Sequence, residues 1–300
     1  MNFTHEIIKG TPHKKMLRKG TGLVLEGGGM RGFFSAGVFE AFMDEGIMFP
    51  YIAGVSAGAA NAYTYIAGQR LRNRQIVEFY AHDKNYISYR NLLRKGSLFG
   101  YDFIFRGIPA RHIFFDRENF DNTDIRFLTG AMDCATGETV WFEKHDISDD
   151  YMEIVASCSV PLAAGMIKHR GMELLDGGVS SPIPIEKSIA DGNDFHVIVL
   201  TRNHDYVAAA AKHTALIKFF YRKYPKLVEA MLTRHERYNQ QILLCKKLVA
   251  EQKAIIIRPQ LPIAVGRTTT DTAKLLALYD EGHDEGKKVV QNHFVTRNTT

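Results

Sequence analysis

Residues 51–58 read Tyr51-Ile52-Ala53-Gly54-Val55-Ser56-Ala57-Gly58, an apolar run that ends on a serine with a glycine two positions to either side. The pattern G-x-S-x-G belongs to a sharp turn between a strand and a helix, which lifts the serine hydroxyl clear of a sheet. Gly54 and Gly58 leave room for neighbouring backbone, and the serine must accept strained dihedrals. Residues 57–67 are small and helix-forming, so a helix N-terminus faces the point where negative charge would develop. Upstream, residues 21–26 read as another short strand running into Gly27-Gly28-Gly29-Met30-Arg31-Gly32. Phe34, Val38, Phe39 and Phe42 then recur at helical spacing, and Gly46 ends that helix. Strand, helix, strand, helix is the order of a parallel α/β sheet.

Further along, residues 125–132 and 139–142 read as strands around a turn at 133–137, and residues 151–157 as a short helix. Residues 172–175 form a strand leading into Asp176-Gly177-Gly178, and 195–200 another buried strand. Residues 70–120 mix helix and loop and resist assignment. Beyond Asp205 the pattern becomes long and helical, broken at Pro225, with a strand at 254–257 and a last helix from Asp271. The expected organisation is a flexible segment at 1–20, a catalytic domain at 21–200, and a mainly helical region at 201–300 packed on it.

With 300 residues, 45% hydrophobic and 24% charged, the chain is neither a disordered tail nor a fibrous repeat. No run approaches the roughly 18 apolar residues that span a bilayer, and no secretory signal is evident. Cys134, Cys158 and Cys245 are too widely spaced for a zinc clamp or redox motif. A soluble, cytoplasmic protein with reduced thiols is expected, any membrane contact being peripheral.

The loop at 27–32 also spells G-x-G-x-x-G, the dinucleotide fingerprint. That reading needs an acidic residue about 20 positions on to hold the ribose, and none stands between Gly46 and Gln69. What remains is a run of unencumbered amides opening a helix, suited to an anion or an oxyanion. Asp176 follows a short strand, so its carboxylate is expected at the same sheet edge as Ser56, although Asp-Gly is also a common turn dipeptide.

Taken in order, the glycine loop, the serine elbow, Ala156-Ser157-Cys158-Ser159-Val160-Pro161 and Asp176-Gly177-Gly178 followed by Pro182 and Pro184 resemble the patatin-like phospholipase family over residues 21–190. The resemblance implies a three-layer α/β fold with a mostly parallel central sheet, to which the helical C-terminal region is added. It implies a serine acyl hydrolase acting on lipid esters through a Ser-Asp dyad, Ser56 as nucleophile and Asp176 as base. The amides of Gly27, Gly28, Gly29 and Met30 would form the oxyanion hole. Arg31 takes the basic loop position and could neutralise an anionic headgroup, while Gly32, Gly54, Gly58, Gly177 and Gly178 shape the turns. No metal or organic cofactor is implied. Glu26 stands where the family often has Asp.

Two rivals remain open: a Ser-His-Asp triad drawing on His169, His196 or His204, and a non-catalytic lipid-binding protein on the same scaffold. Residues 205–258 carry eleven Lys and Arg against four Asp and Glu. Within them, 216–227 interleaves Phe219, Phe220, Tyr221 and Tyr224 with Lys218, Arg222, Lys223 and Lys226. That stretch suits either the surface of an anionic membrane or the solvated face of an amphipathic helix. No nucleic-acid motif accompanies it, and no nucleic-acid partner is expected.

Overall fold

The computed structural model describes residues 15–294. The chain opens with β1 (Lys15–Met16) and β2 (Thr21–Leu25), then a 3-10 turn (Gly29–Gly32), α1 (Phe33–Asp44), β3 (Ile47–Met48), β4 (Tyr51–Val55) and α2 (Ala57–Ile66). Residues 70–120 resolve into α3 (Arg72–Tyr80), α4 (Tyr89–Lys95), α5 (Ile108–Arg111) and, partly, α6 (Arg117–Asn122). Next come β5 (Arg126–Asp133), β6 (Thr139–Glu143), α7 (Met152–Cys158), β7 (Ile167–His169), β8 (Met172–Asp176), α8 (Ile185–Ala190) and β9 (Phe195–Val199). The remainder is α9 (Thr214–Phe220), α10 (Pro225–Ala250), β10 (Ala254–Ile257) and α11 (Thr272–Val289). Among the described residues no helix is long and apolar enough to cross a membrane.

The central sheet runs β10-β9-β2-β4-β5-β8-β7, with β6 also paired to β5. The first five strands are mutually parallel, while β6, β7 and β8 join antiparallel. Side chains alternate across it, as the two-residue strand period requires. Leu23, Leu25, Val197 and Val199 pack into the large core beneath α1, α2 and α11. Val24, Ile198 and Leu200 pack on the opposite face with Tyr238, Cys245 and Leu248 of α10. Helices therefore cover both faces, giving the three layers expected of the fold.

One register feature places the site. β4 pairs with β5 as far as Val55 opposite Gly130, and β8 pairs with β5 from Asp176 opposite Ala131. Since β6 lies along β5 from Leu128 to Met132, β8 takes up the edge of β5 that β4 has just left. The end of β4 and the end of β8 thus meet head to head.

Two readings of the sequence need correction. The lead-in expected to be flexible over 1–20 is ordered from Lys15, where β1 pairs parallel with β3; residues 1–14 lie outside the described residues. Strands as short as β1, β3 and β7 show no usable period. The aromatic and basic stretch 216–227 is not one helix. It comprises the end of α9, a turn, and the first residues of α10, whose Pro225 sits at the helix start, where a missing N–H is harmless.

The C-terminal region is built into the core. β10 extends the sheet beside β9, and α11 lies against α1 so closely that glycines are required at the crossing. A Cβ on Gly37 would stand 1.9 Å from the Tyr279 carbonyl, and one on Gly282 2.0 Å from that of Phe34. Gly282→Ala is accordingly expected to separate the two helices and destabilise the fold by about 1–3 kcal/mol. A drop of several degrees in the thermal midpoint followed by circular dichroism checks this, and an unchanged midpoint contradicts it.

Candidate active site

Ser56 caps β4 and opens α2 with φ 53° and ψ −132°, in the half of backbone space where side chains are strained by about 1–3 kcal/mol. Its surroundings allow nothing else. A Cβ at Gly54 would lie 2.9 Å from the Ala59 nitrogen, and one at Gly58 2.7 Å from the Glu26 carbonyl. The Ser56 N–H donates to Ser157 Oγ at 2.8 Å, and that hydroxyl donates on to the Gly130 carbonyl at 2.6 Å. Ser157 is therefore the pin that holds the elbow to β5. The sequence showed it only within the Ala156–Pro161 block, without a role.

Asp176 ends β8, and its amide is fixed by the Ser159 carbonyl at 2.8 Å. Ser56 Oγ donates to Asp176 Oδ2 at 2.7 Å, and the Gly178 amide donates to Oδ1, also at 2.7 Å. Gly177 passes so near β5 that a Cβ would meet the Gly130 carbonyl at 2.1 Å. Burial holds the Asp176 carboxyl above the ordinary carboxylate range, opposed by the bonds from Ser56 and Gly178 and by the charges of Arg267 and Arg234. The serine and the carboxylate expected from the sequence are in direct contact.

The glycine loop runs past the same point. A Cβ on Gly27 would press on Ser56 Cβ at 2.9 Å, and one on Gly28 on Thr201 Oγ1 at 2.7 Å. Gly29 has φ +56° and lies against the Arg267 backbone, whose carbonyl a Cβ would approach to 2.5 Å. That carbonyl also accepts the Met30 amide at 3.0 Å, which corrects one expectation. The Met30 N–H is committed to Arg267, whereas Gly27, Gly28 and Gly29 line the cavity beside Ser56. Gly32 closes the turn on α2, where Asn61 Nδ2 donates to its carbonyl at 2.9 Å. Glu26 is buried and accepts the Thr201 amide at 2.6 Å, its acidity weakened by burial. Arg31 is only 4% exposed, and its Nε has no hydrogen-bond partner. Burial, with Arg202 and Arg267 nearby, pulls its pKa down to about 10.

Two cavities meet at Ser56. One, of about 170 Å³, is bounded by Gly27, Gly28, Gly29, Asp176 and the guanidinium-bearing residues Arg31, Arg234 and Arg267. The other, of about 70 Å³, is apolar, walled by Phe33, Tyr86, Phe99, Tyr101, Phe105 and Cys158. The aromatic wall comes largely from the stretch 70–120, whose scattered aromatics were its only signal in the sequence. Arg234 and Arg267, from the C-terminal hundred residues, were not singled out by it either.

The histidines of the rival triad lie elsewhere. His169 Nε2 is 2.7 Å from Glu153 Oε1, His196 Nδ1 is 3.0 Å from Ser188 Oγ, and His204 stands at the surface beside Asp205. Among the described residues no histidine lines either cavity at Ser56. His169 and His196 are thus held by other parts of the fold and His204 by none, so none of the three is placed at Ser56.

Comparison with known proteins bears on the family and the fold. A model of patatin-like phospholipase matches residues 23–189, and a model of a domain of unknown function (DUF6363) matches residues 224–294. The uncharacterized protein YjjU of Escherichia coli (strain K12) is 26% identical over 186 residues, covering 60% of this chain and 51% of that one. The chain thus spans about half the length of this curated relative. The crystal structure of VipD from Legionella pneumophila has a similar fold, with a TM-score of 0.53 at 13% identity over 95% of this chain and 68% of that one. The matched segment covers more than half of the sequence and contains the glycine loop, Ser56 and Asp176, so the chain belongs to the patatin-like phospholipase family.

Proposed function

We propose that the chain is a lipid acyl hydrolase in which Ser56 and Asp176 work as a dyad. The observation that carries this reading is the 2.7 Å bond from Ser56 Oγ to Asp176 Oδ2 at the junction of an apolar and a cationic cavity. The acyl chain enters the aromatic cavity and the polar part of the ester lies on the arginine side. Ser56 Oγ attacks the acyl carbonyl while Asp176 takes its proton. The carbonyl oxygen, now an anion, is held by the amides of Gly27, Gly28 and Gly29, each such donor being worth roughly 2.7–4 kcal/mol. Cleavage of the ester C–O bond expels the alcohol, which recovers the proton from Asp176. Water then attacks the acyl-enzyme, giving its proton to Asp176, which returns it to Ser56 Oγ as the acyl–Oγ bond breaks and the fatty acid leaves. A protein that merely binds lipid has no use for a serine kept at strained dihedrals against a buried carboxylate.

An aspartate near its ordinary pKa of about 3.9 is a weak base for a hydroxyl. Burial raises the pKa of Asp176 and so strengthens it. The base must be ionised to act, so activity falls as pH drops through this raised value. The acid limb of kcat/KM on a long-chain ester is expected above the ordinary Asp range, and a limb at or below about 3.9 counts against the assignment. Asp176→Asn is expected to keep a cooperative melt while losing roughly 10²–10⁴-fold in kcat. Near-native turnover of that variant would exclude the dyad.

We further infer peripheral contact with anionic bilayers. At the corner between α9 and α10, Phe219 and Phe220 are 64% and 60% exposed beside Lys218, Arg222 and Lys223. Ile217 and Met231 of the same two helices line the cationic cavity, so the corner sits by the site. Three free cysteines suit a reducing compartment such as the cytoplasm. Co-sedimentation with phosphatidylglycerol vesicles is expected to fall at least about fivefold in Phe219→Ser/Phe220→Ser, reflecting lost apolar burial at the interface. Equal sedimentation of variant and wild type contradicts the contact.

A further inference from the structure

Building on the reading of Ser56 as nucleophile, we propose that the C-terminal region completes the substrate site, Arg234 and Arg267 joining Arg31 to bind the terminal phosphate of an acyl glycerophosphate. The three arginines come from the glycine loop, α10 and the segment between β10 and α11, and they line one cavity with Ser56. The carboxylate in that cavity, Asp176, is already engaged by Ser56 and Gly178. Arg31 is buried, yet its Nε donor meets no acceptor among the described residues. A buried guanidinium with an open donor is costly unless something anionic answers it. Arg234 Nε donates to the Gly178 carbonyl at 2.6 Å, which fixes this guanidinium against the turn carrying Asp176. Burial lowers the pKa of both Arg31 and Arg234, and the like charge of Arg267 lowers both further, against the buried carboxylate of Glu26. A phosphate monoester carries close to two negative charges at neutral pH and accepts bidentate bonds from guanidinium groups.

The lining also decides between headgroups. Among the described residues no Phe, Tyr or Trp borders this cavity, so they offer no aromatic cage for a choline-type quaternary ammonium. Such a group would sit unshielded among three arginines. At about 170 Å³ the space is smaller than the roughly 300–1,000 Å³ of pockets that enclose whole drug-sized ligands. It suits a small headgroup whose acyl chain leaves past Ser56 into the apolar cavity. Arg267 ties the two functions together, because its backbone carbonyl holds the Met30 amide and braces Gly29 while its side chain borders the cavity. Phosphate seated on Arg267 therefore bears on the loop that holds the oxyanion.

The test uses the full chain. Ser56→Ala protein is titrated calorimetrically with glycerol 3-phosphate, inorganic phosphate and glycerophosphocholine. Glycerol 3-phosphate is expected to bind at least about tenfold more tightly than either of the others, a difference of about 1.4 kcal/mol. Adding Arg267→Gln, at an exposed position, is expected to weaken that binding at least about tenfold with no shift in thermal midpoint. Inorganic phosphate binding as tightly overturns the headgroup assignment, and equal binding of glycerophosphocholine overturns the charge argument. In Ser56-containing protein, the kcat/KM ratio for 1-acylglycerol 3-phosphate over its phosphocholine analogue is expected to exceed about ten and to fall toward unity in Arg267→Gln. Phosphate-selective binding without hydrolysis of any ester would fault the nucleophile reading and sustain this one. Hydrolysis with the same headgroup ratio in wild type and Arg267→Gln overturns this one alone.

Discussion

Strand β5 is the ruler from which the site is measured. At Gly130 its edge is paired with the last residue of β4, and at Ala131 the same edge is paired with the last residue of β8. Backbone pairing therefore brings residues 56 and 176 together before any side chain contributes. The Gly130 carbonyl adds a second constraint by accepting Ser157 Oγ, which holds the Ser56 amide. It also leaves no room for a Cβ at Gly177. A register slip of one residue on β5 would turn the hydroxyl and the carboxylate to opposite faces of the sheet.

The site is assembled against local preference. Ser56 has strained dihedrals, Asp176 is a carboxylate taken out of water, and Arg31 is a cation buried with an open donor. Each would relax in isolation. They persist because the surrounding contacts are stiff: fully buried Leu23, Leu25, Ile52 and Val55 beneath the loops, and the glycine-mediated crossing of α1 and α11 behind them. Stability held in the core thus offsets strain at the functional edge, the usual relation between scaffold and site.

Much of this was legible in residue order. Strand β4 reads off residues 51–55 because five apolar residues end on G-x-S-x-G, and α1 because its phenylalanines repeat at helical spacing. Asp176 was legible only in company: Asp-Gly alone is a turn signal, and its weight came from the blocks around it. The Met30 amide was misjudged because its acceptor, the Arg267 carbonyl, comes from the far end of the chain, and local sequence carries no trace of such a pairing. Pro225 marked the break between α9 and α10, which the aromatic and basic interleaving over 216–227 spans without trace. The apolar cavity was illegible since its wall is gathered from α1, α2, the end of α7 and the connections between α3 and α5, which share no single period. Arg234 and Arg267 were hidden for the same reason: their meaning depends on α10 and the segment after β10 folding back over the glycine loop.

The central claim is that the hydroxyl of residue 56 is the nucleophile and that Asp176 activates it. Its most direct test is the intact mass of the protein after exposure to a fluorophosphonate, followed by peptide mapping. The account predicts one adduct, located on Ser56, formed rapidly in the native protein, slowly in Asp176→Asn, and not at all in Ser56→Ala. An adduct on another residue, or labelling of the Asp176→Asn protein at the native rate, would contradict it.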